Sequence, residues 1–328
     1  MKTTLLALTA STALAGTALA QSVTIGHFGS PTPMQAAAAQ GLFEEATGWD
    51  IEWRKFAAGT DVIAAMASGD VVLAELGSSP LAIAASQGVD LQLVMLAQVL
   101  GEAESLIVSE DSGIGALADL KGKRVAVPVG STAHYSLMGA LQHEGIDDSE
   151  LTIMSMPPEQ IAAAWEQDAI DAAFIWQPVQ AQILASGERL LGADQTAEWG
   201  FPTFDGWVAD REWAAENQDA LAAFLRVMDE ANQDYLADPA AYTPDSEAVR
   251  TIAERTGADP EQVPTILEGF TFLPASEQTS EQWLGGSMVD AMKGTADFLK
   301  EAGRIDTVAD DYSGFVNTAP LEAAVGGS

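Results

Sequence analysis

The chain has 328 residues, 48% of them hydrophobic, which is enough to bury a large core and to fill two domains of ordinary size. It carries 48 acidic and 14 basic residues, a formal charge of −34, which excludes a nucleic-acid surface built on phosphate neutralisation and argues against docking on an anionic membrane. It has no cysteine, so disulfides, a thiol nucleophile and a lipid-bearing cysteine are all excluded.

Residues 1–20 read as a separate unit. Lys2 gives a short positive start, Leu5 to Ala20 is apolar and small, and Ala18-Leu19-Ala20 meets the small-x-small rule. The expectation is a secretory signal cleaved after Ala20. No later run reaches the roughly 18 apolar residues that span a bilayer, so direct membrane insertion is not expected and a bacterial periplasm is the expected compartment.

Ser22 to Phe28 alternates as a strand does, and Gly29-Ser30-Pro31 turns it into a helix around Ala36 to Glu45. Ile51 to Phe56 predicts a strand, Asp61 to Ala67 a helix, and Val71 to Leu76 a third strand. That strand runs into Gly77-Ser78-Ser79-Pro80, where Ser79 suits an N-cap and Pro80 the first helical position. Leu91 to Val99 and Ser105 to Val108 are strand-like and are expected to end one lobe and make the first crossing to another.

The order then returns. Arg124 to Val129 predicts a strand, Gly130-Ser131-Thr132 a capped turn, and the following residues a helix to Glu144. A strand at Leu151 to Met154, a helix at Glu159 to Gln167, a strand at Ala172 to Trp176 and a helix opened by Gln177-Pro178 complete the unit. Gly29 matches Gly130 and Pro80 matches Pro178, at offsets of 101 and 98 residues. Tandem units of this kind predict two parallel α/β lobes with ligand-facing turns at the carboxyl ends of their strands. Phe204 to Ala209 is expected to cross back, and helices are expected at Glu212–Leu236, Glu247–Arg255, Pro260–Glu268 and Glu281–Glu301.

Catalytic signatures are missing. His27, His134 and His143 lack metal-ligand spacing, and neither a G-x-S-x-G elbow nor a P-loop is present. No metal, cofactor or catalytic residue is expected. Recognition of a small ion is better supported. A helix start can hold an anion on unpaired N–H groups without a basic side chain, and the turns at Ser79 and Thr132 supply two such starts. Glu104 and Asp205, each beside apolar neighbours near an inter-lobe crossing, are suited to a buried ammonium, with Trp176 and Trp207 as flat walls.

The segments GWDIEWRKFAAGTDVIAAMASGDV, GSSPLAIAASQGV, STAHYSL, FIWQPV, EWGFPTFDGWVA and DYSGFV together resemble the taurine-binding proteins of ABC importers, in the sulfonate and nitrate branch of periplasmic binding proteins. The likeness covers nearly the whole mature chain. It implies a type II periplasmic binding protein, a venus-flytrap of two α/β lobes joined by two crossings, with residues 21–108 and 208–328 in lobe one and 109–207 in lobe two. It implies a monomer that delivers taurine or a related small sulfonate to a membrane permease and its ATPase. Residue by residue, it places the sulfonate near Ser78 and Ser79 on one side and Thr132, His134 and Tyr135 on the other, the amine near Glu104 and Asp205, and Trp176 on the pocket wall. The local order Ala103-Glu104-Ser105 departs from the family's Ser-Glu-Ala while keeping the acid in place, and the first turn, Gly29 to Thr32, departs from the family's G-P-E-P-type segment. A carrier of amine-free sulfonates or of another small zwitterion is the alternative on the same fold. An enzyme on this architecture is the alternative of another class; the tetrapyrrole-assembling deaminases anchor their cofactor on a cysteine, which this chain lacks.

Overall fold

The structure, a computed structural model, describes residues 20–326. The expected signal segment lies outside the described residues, apart from Ala20. Among the described residues eleven strands form two mixed sheets. In chain order they are β1 (Ser22–His27), β2 (Asp50–Lys55), β3 (Leu73–Gly77), β4 (Leu91–Leu100), β5 (Glu104–Ser109), β6 (Arg124–Val127), β7 (Thr152–Ser155), β8 (Ala172–Trp176), β9 (Gly187–Gly192), β10 (Phe204–Asp210) and β11 (Phe270–Thr271). The first sheet has the order β11-β4-β10-β3-β1-β2 and the second β7-β6-β8-β5-β9.

Within each lobe the strands read from the tandem repeat are parallel: β1 with β2 and β3, and β6 with β7 and β8. The expectation of purely parallel lobes fails at the crossing strands. β10 lies antiparallel between β3 and β4 in the first sheet, and β5 lies antiparallel between β8 and β9 in the second. The lobe boundaries move accordingly. Glu104 to Ser109, expected at the end of lobe one, is a central strand of the second sheet, and Phe204 to Trp207, assigned to lobe two, is a central strand of the first. The chain therefore changes lobes in the short segments at 101–103 and near 199–203. These run side by side, joined by a hydrogen bond of 3.0 Å from the Leu100 amide to the Thr203 carbonyl. β9 and the helix after it, Ala193–Glu198, were not read from the sequence.

Local chemistry accounts for several of the helix edges. Ser131 caps the Thr132–Glu144 helix as expected, its hydroxyl accepting the His134 amide at 3.2 Å. The helix expected around Ala36 to Glu45 is two helices, Pro33–Ala39 and Leu42–Thr47, separated by Gly41 in the left-handed region at φ 73°. The helix after β3 starts at Ser78 with Gly77 as its N-cap, so Ser79 is not the cap and Pro80 is not the first helical residue.

The first sheet is enclosed by apolar residues from both ends of the chain, among them Phe43, Trp207, Phe224, Met292 and Leu299. Phe224, on the Gln218–Ala237 helix, lies 4.7 Å from Phe43 and 5.2 Å from Trp207 between ring centroids, so the late helices complete the core of lobe one. Trp207 is thus a core residue and no wall of the cleft. The second sheet has a core on each face, one around Leu106, Leu137 and Phe174 and one around Ile107, Ile161 and Ile175. Among the described residues no helix is long and apolar enough to cross a membrane.

Candidate functional site

The carboxyl ends of β1 and β3 in lobe one face the turn after β6 and the end of β8 in lobe two across a cavity with about 450 Å³ of empty space, its mouth included. Its wall includes Phe28, Ser30 and Gly77 from the first lobe and Ser131, Thr132, Trp176 and Gln177 from the second, with Glu104 and Asp205 at the start of the two crossing strands. Because β5 and β10 each begin at the hinge and run back into their sheets, their first acidic residues enter the same space from opposite lobes. The lobes are in contact there. A Cβ on Gly77 would stand 2.9 Å from Thr132 Cγ2 and 3.2 Å from Asp205 Oδ1.

Each acid has one oxygen engaged by a fixed donor. The Thr132 hydroxyl donates to Glu104 Oε2 at 2.5 Å, the Ala133 amide of the same helix start and the Thr203 hydroxyl also act on that carboxyl group, and Oε1 is buried. Gln98 Nε2 donates to Asp205 Oδ2 at 2.9 Å, leaving Oδ1 beside Gly77. Burial lifts the Glu104 carboxyl from 4.5 to about 8 against the pull of its donors. Asp205 is pushed well above the usual carboxylate range by burial and then by the neighbouring Glu75 and Glu104. With no basic side chain in the wall, the arrangement is an acceptor set waiting for a compact cation.

Glu104, Thr132, Trp176 and Asp205 are thereby brought to one cavity. Thr132 and Glu104, which the sequence assigned to opposite ends of a ligand, hydrogen-bond to each other: the helix start expected to receive a sulfonate receives the carboxyl group of Glu104. Ser78 and Ser79 are buried at the first turn of the helix after β3. Ser78 Oγ lies 3.5 Å from the Phe204 amide, and Ser79 Oγ has no partner. His134 is fully buried behind the turn. The Gly130 amide points at its Nδ1 at 3.4 Å, which puts the ring proton on Nε2, a donor with no partner. Burial, with the charge of Arg304 adding to it, lowers its pKa to about 4, so the ring is neutral.

Ser78, Ser79 and His134, expected at the site, do not line the cavity, and neither does Tyr135. Its ring packs edge-on against Phe201 at 5.7 Å and Phe298 at 5.0 Å, and it is not in the cavity wall. It faces the Ser287–Glu301 helix because each residue of a helix is rotated by about 100° from the one before. Sequence reading missed Phe28, Ser30 and Gln177 in the wall and Glu75 and Gln98 behind it. Glu75 and Gln98 carried a usable signal: each is a polar residue inside an otherwise apolar strand, LAELG and LQLVMLAQVL.

Two mixed α/β lobes, paired crossings and a cavity walled from both sides define the type II periplasmic binding fold. The chain belongs to the NMT1/THI5-like family, whose model matches residues 30–242. It is 38% identical over 301 residues to the taurine-binding periplasmic protein of Escherichia coli strain K12, a match that covers 92% of this chain and 93% of that protein. Among solved structures, it is similar to the periplasmic aliphatic sulphonate binding protein SsuA from Escherichia coli, with a TM-score of 0.74 at 22% identity over 91% of this chain and 92% of that one. The alkanesulfonate-binding protein SsuA from Xanthomonas axonopodis pv. citri, bound to MOPS, superposes with a TM-score of 0.73 at 23% identity over 88% of this chain and 95% of that one. At these identities the two structures speak for the fold.

Proposed function

We propose that this protein is the solute-binding component of an ABC importer that captures taurine in the cleft between its lobes and hands it to a membrane permease and its ATPase. The observation that carries the reading is the pairing of Asp205 from lobe one with Glu104 from lobe two at one cavity that has no basic wall. Two facing acids on separate lobes repel when ionised, and an ammonium placed between them turns that repulsion into a bridge. Closure then follows from contacts that neither lobe makes alone. The resemblance to a taurine-binding protein along nearly the whole chain supports the same ligand.

A sulfonate stays ionised at physiological pH, so it is held by fixed donors. Ser30, Ser131 and Gln177 line the cavity, and the helix start at Ser78 contributes unpaired amides. Trp176 closes one side, and its ring face adds attraction for the cationic end. The role is binding and delivery with no turnover. Export by the residue 1–20 signal, with cleavage after Ala20, would place the protein in the periplasm.

A second reading, a carrier of amine-free aliphatic sulfonates, is favoured by Phe28, Leu100 and Phe270, which give the cavity an apolar side suited to an alkyl chain. Calorimetric titration with taurine, ethanesulfonate and β-alanine separates the readings. Taurine is expected to bind at least about tenfold tighter than either, a difference of about 1.4 kcal/mol. Equal binding of ethanesulfonate would remove the amine, and with it the assigned role of both acids.

A further inference from the structure

Behind Asp205 lies a second acid that the ligand reading does not use. Glu75 on β3 and Asp205 on β10 are bridged by Gln98 of β4, whose Nε2 donates at 2.9 Å to Glu75 Oε1 and at 2.9 Å to Asp205 Oδ2. The other oxygen of Glu75 accepts the Phe28 amide at 3.0 Å. Both oxygens of Glu75 therefore meet N–H donors, which suits a carboxylate, whereas Asp205 Oδ1 meets none of these donors and stands on the cavity wall beside Gly77. Glu75, Gln98 and Asp205 are 4%, 2% and 8% exposed, too little for water to screen two charges joined by one amide. The remaining charged group that acts on Asp205 is Glu104 from β5, another acid. Among the described residues no cation acts on Asp205, and Lys55 and Arg255 serve another group. Lys55 covers Gly29, Arg255 binds Gln35 at 3.2 Å, and their charge falls on His27.

Resting on the taurine reading, we propose that Glu75 is a positioning residue for the ligand's ammonium: through Gln98 it makes the Glu75–Asp205 pair share one proton in the empty cleft, and the arriving ammonium displaces that proton from Asp205 Oδ1. Glu75 keeps its charge on two fixed N–H donors. The proton sits on the oxygen that has no donor and leaves to solvent, so the site exchanges one positive charge for another and no bond of the ligand changes. A sulfonate without an amine has nothing to exchange and leaves the proton in place. Displacing the proton costs taurine part of its binding energy and makes its affinity depend on pH, whereas an amine-free sulfonate meets a protonated, uncharged Asp205 and binds without that dependence.

The test is calorimetry of the full-length mature protein at about pH 7 in buffers of differing ionisation enthalpy, which counts protons exchanged on binding. Taurine is expected to release at least about one proton per site, ethanesulfonate none, and the affinity for taurine to rise by at least about tenfold per pH unit from about pH 6 to about pH 7. Glu75→Gln is expected to cut the release by about half or more, since Asp205 then ionises without a like charge behind it. Gln98 links Glu75 to Asp205 and not to Glu104, so this variant reads the pair alone. Taurine binding without proton release, or release of the same size with ethanesulfonate, overturns the inference while leaving the ligand assignment standing. Unchanged release in folded Glu75→Gln protein overturns it too. Absence of taurine binding overturns both, and the wild-type pH profile and the ethanesulfonate comparison decide the matter even if the variant does not fold.

Discussion

Gly77 offers the most direct test of how the lobes meet. Its backbone, at φ −71° and ψ 156°, is open to any residue, so alanine brings no conformational strain. What the added methyl meets is Thr132 Cγ2 of the other lobe at 2.9 Å, a distance that real Cβ contacts do not show, and Asp205 Oδ1 at 3.2 Å. Overpacking of this kind costs about 1–3 kcal/mol. Because the Thr132 contact exists between lobes, most of that cost falls on the closed form, and Gly77→Ala is expected to weaken taurine binding about 5- to 150-fold. The ligand-free melting temperature is expected to move little. Thr132→Ser removes the colliding methyl and keeps the hydroxyl that donates to Glu104, so Gly77→Ala/Thr132→Ser is expected to recover most of the lost affinity. Titration calorimetry measures the cycle, and small-angle scattering with and without taurine reports closure. Wild-type affinity in Gly77→Ala, or no recovery in the double variant, would refute the close approach of these two turns.

Further outcomes follow from the same geometry. Asp205→Asn should weaken taurine far more than ethanesulfonate, and equal losses would show that Asp205 does not meet the amine. Glu104, held at about 8 against 4.5 when unfolded, stabilises the ligand-free protein fully below about pH 4.5, and that stabilisation is lost as pH rises through about 8. The interval is worth on the order of 5 kcal/mol, and Glu104→Gln should flatten the fall in thermal stability between about pH 5 and pH 9; an unaltered slope counts against the burial of this charge. In lobe two, a Cβ on Gly139 would stand 2.4 Å from the Phe201 ring, so Gly139→Ala should destabilise by about 1–3 kcal/mol in chemical denaturation, and an unchanged midpoint would contradict the packing of the 199–203 segment on the Thr132–Glu144 helix.

Both halves of the tandem repeat were legible because strand and helix periods are local. Alternation set β1 and a β-branched run set β6, and these, with β2 and β8, were placed within a residue or two; the Ser131 cap follows from hydroxyl chemistry at a helix start. Glu104, Asp205, Thr132 and Trp176 stood out as candidates, by a charge beside apolar neighbours, a turn and an aromatic at a strand end, and all four reach the cavity. Glu75 and Gln98 were present as polar residues in apolar strands, but a strand's partner is not written in its own residues.

The amino-acid order by itself determined the two α/β units, the acidic and cysteine-free character of the chain, and the acids that flank the crossings. Tertiary structure alone decided that β5 and β10 enter the middle of the opposite sheets, that Tyr135 turns to Phe298, and that Gln98 ties Glu75 to Asp205. The physical reason is the range of the forces involved. Capping and periodicity act over a few residues, whereas residues of β5 pair with partners 64 to 87 positions away and the amide of Gln98 reaches acids 23 positions before it and 107 after it. Which oxygens face the ligand is settled only when those distant strands lie side by side.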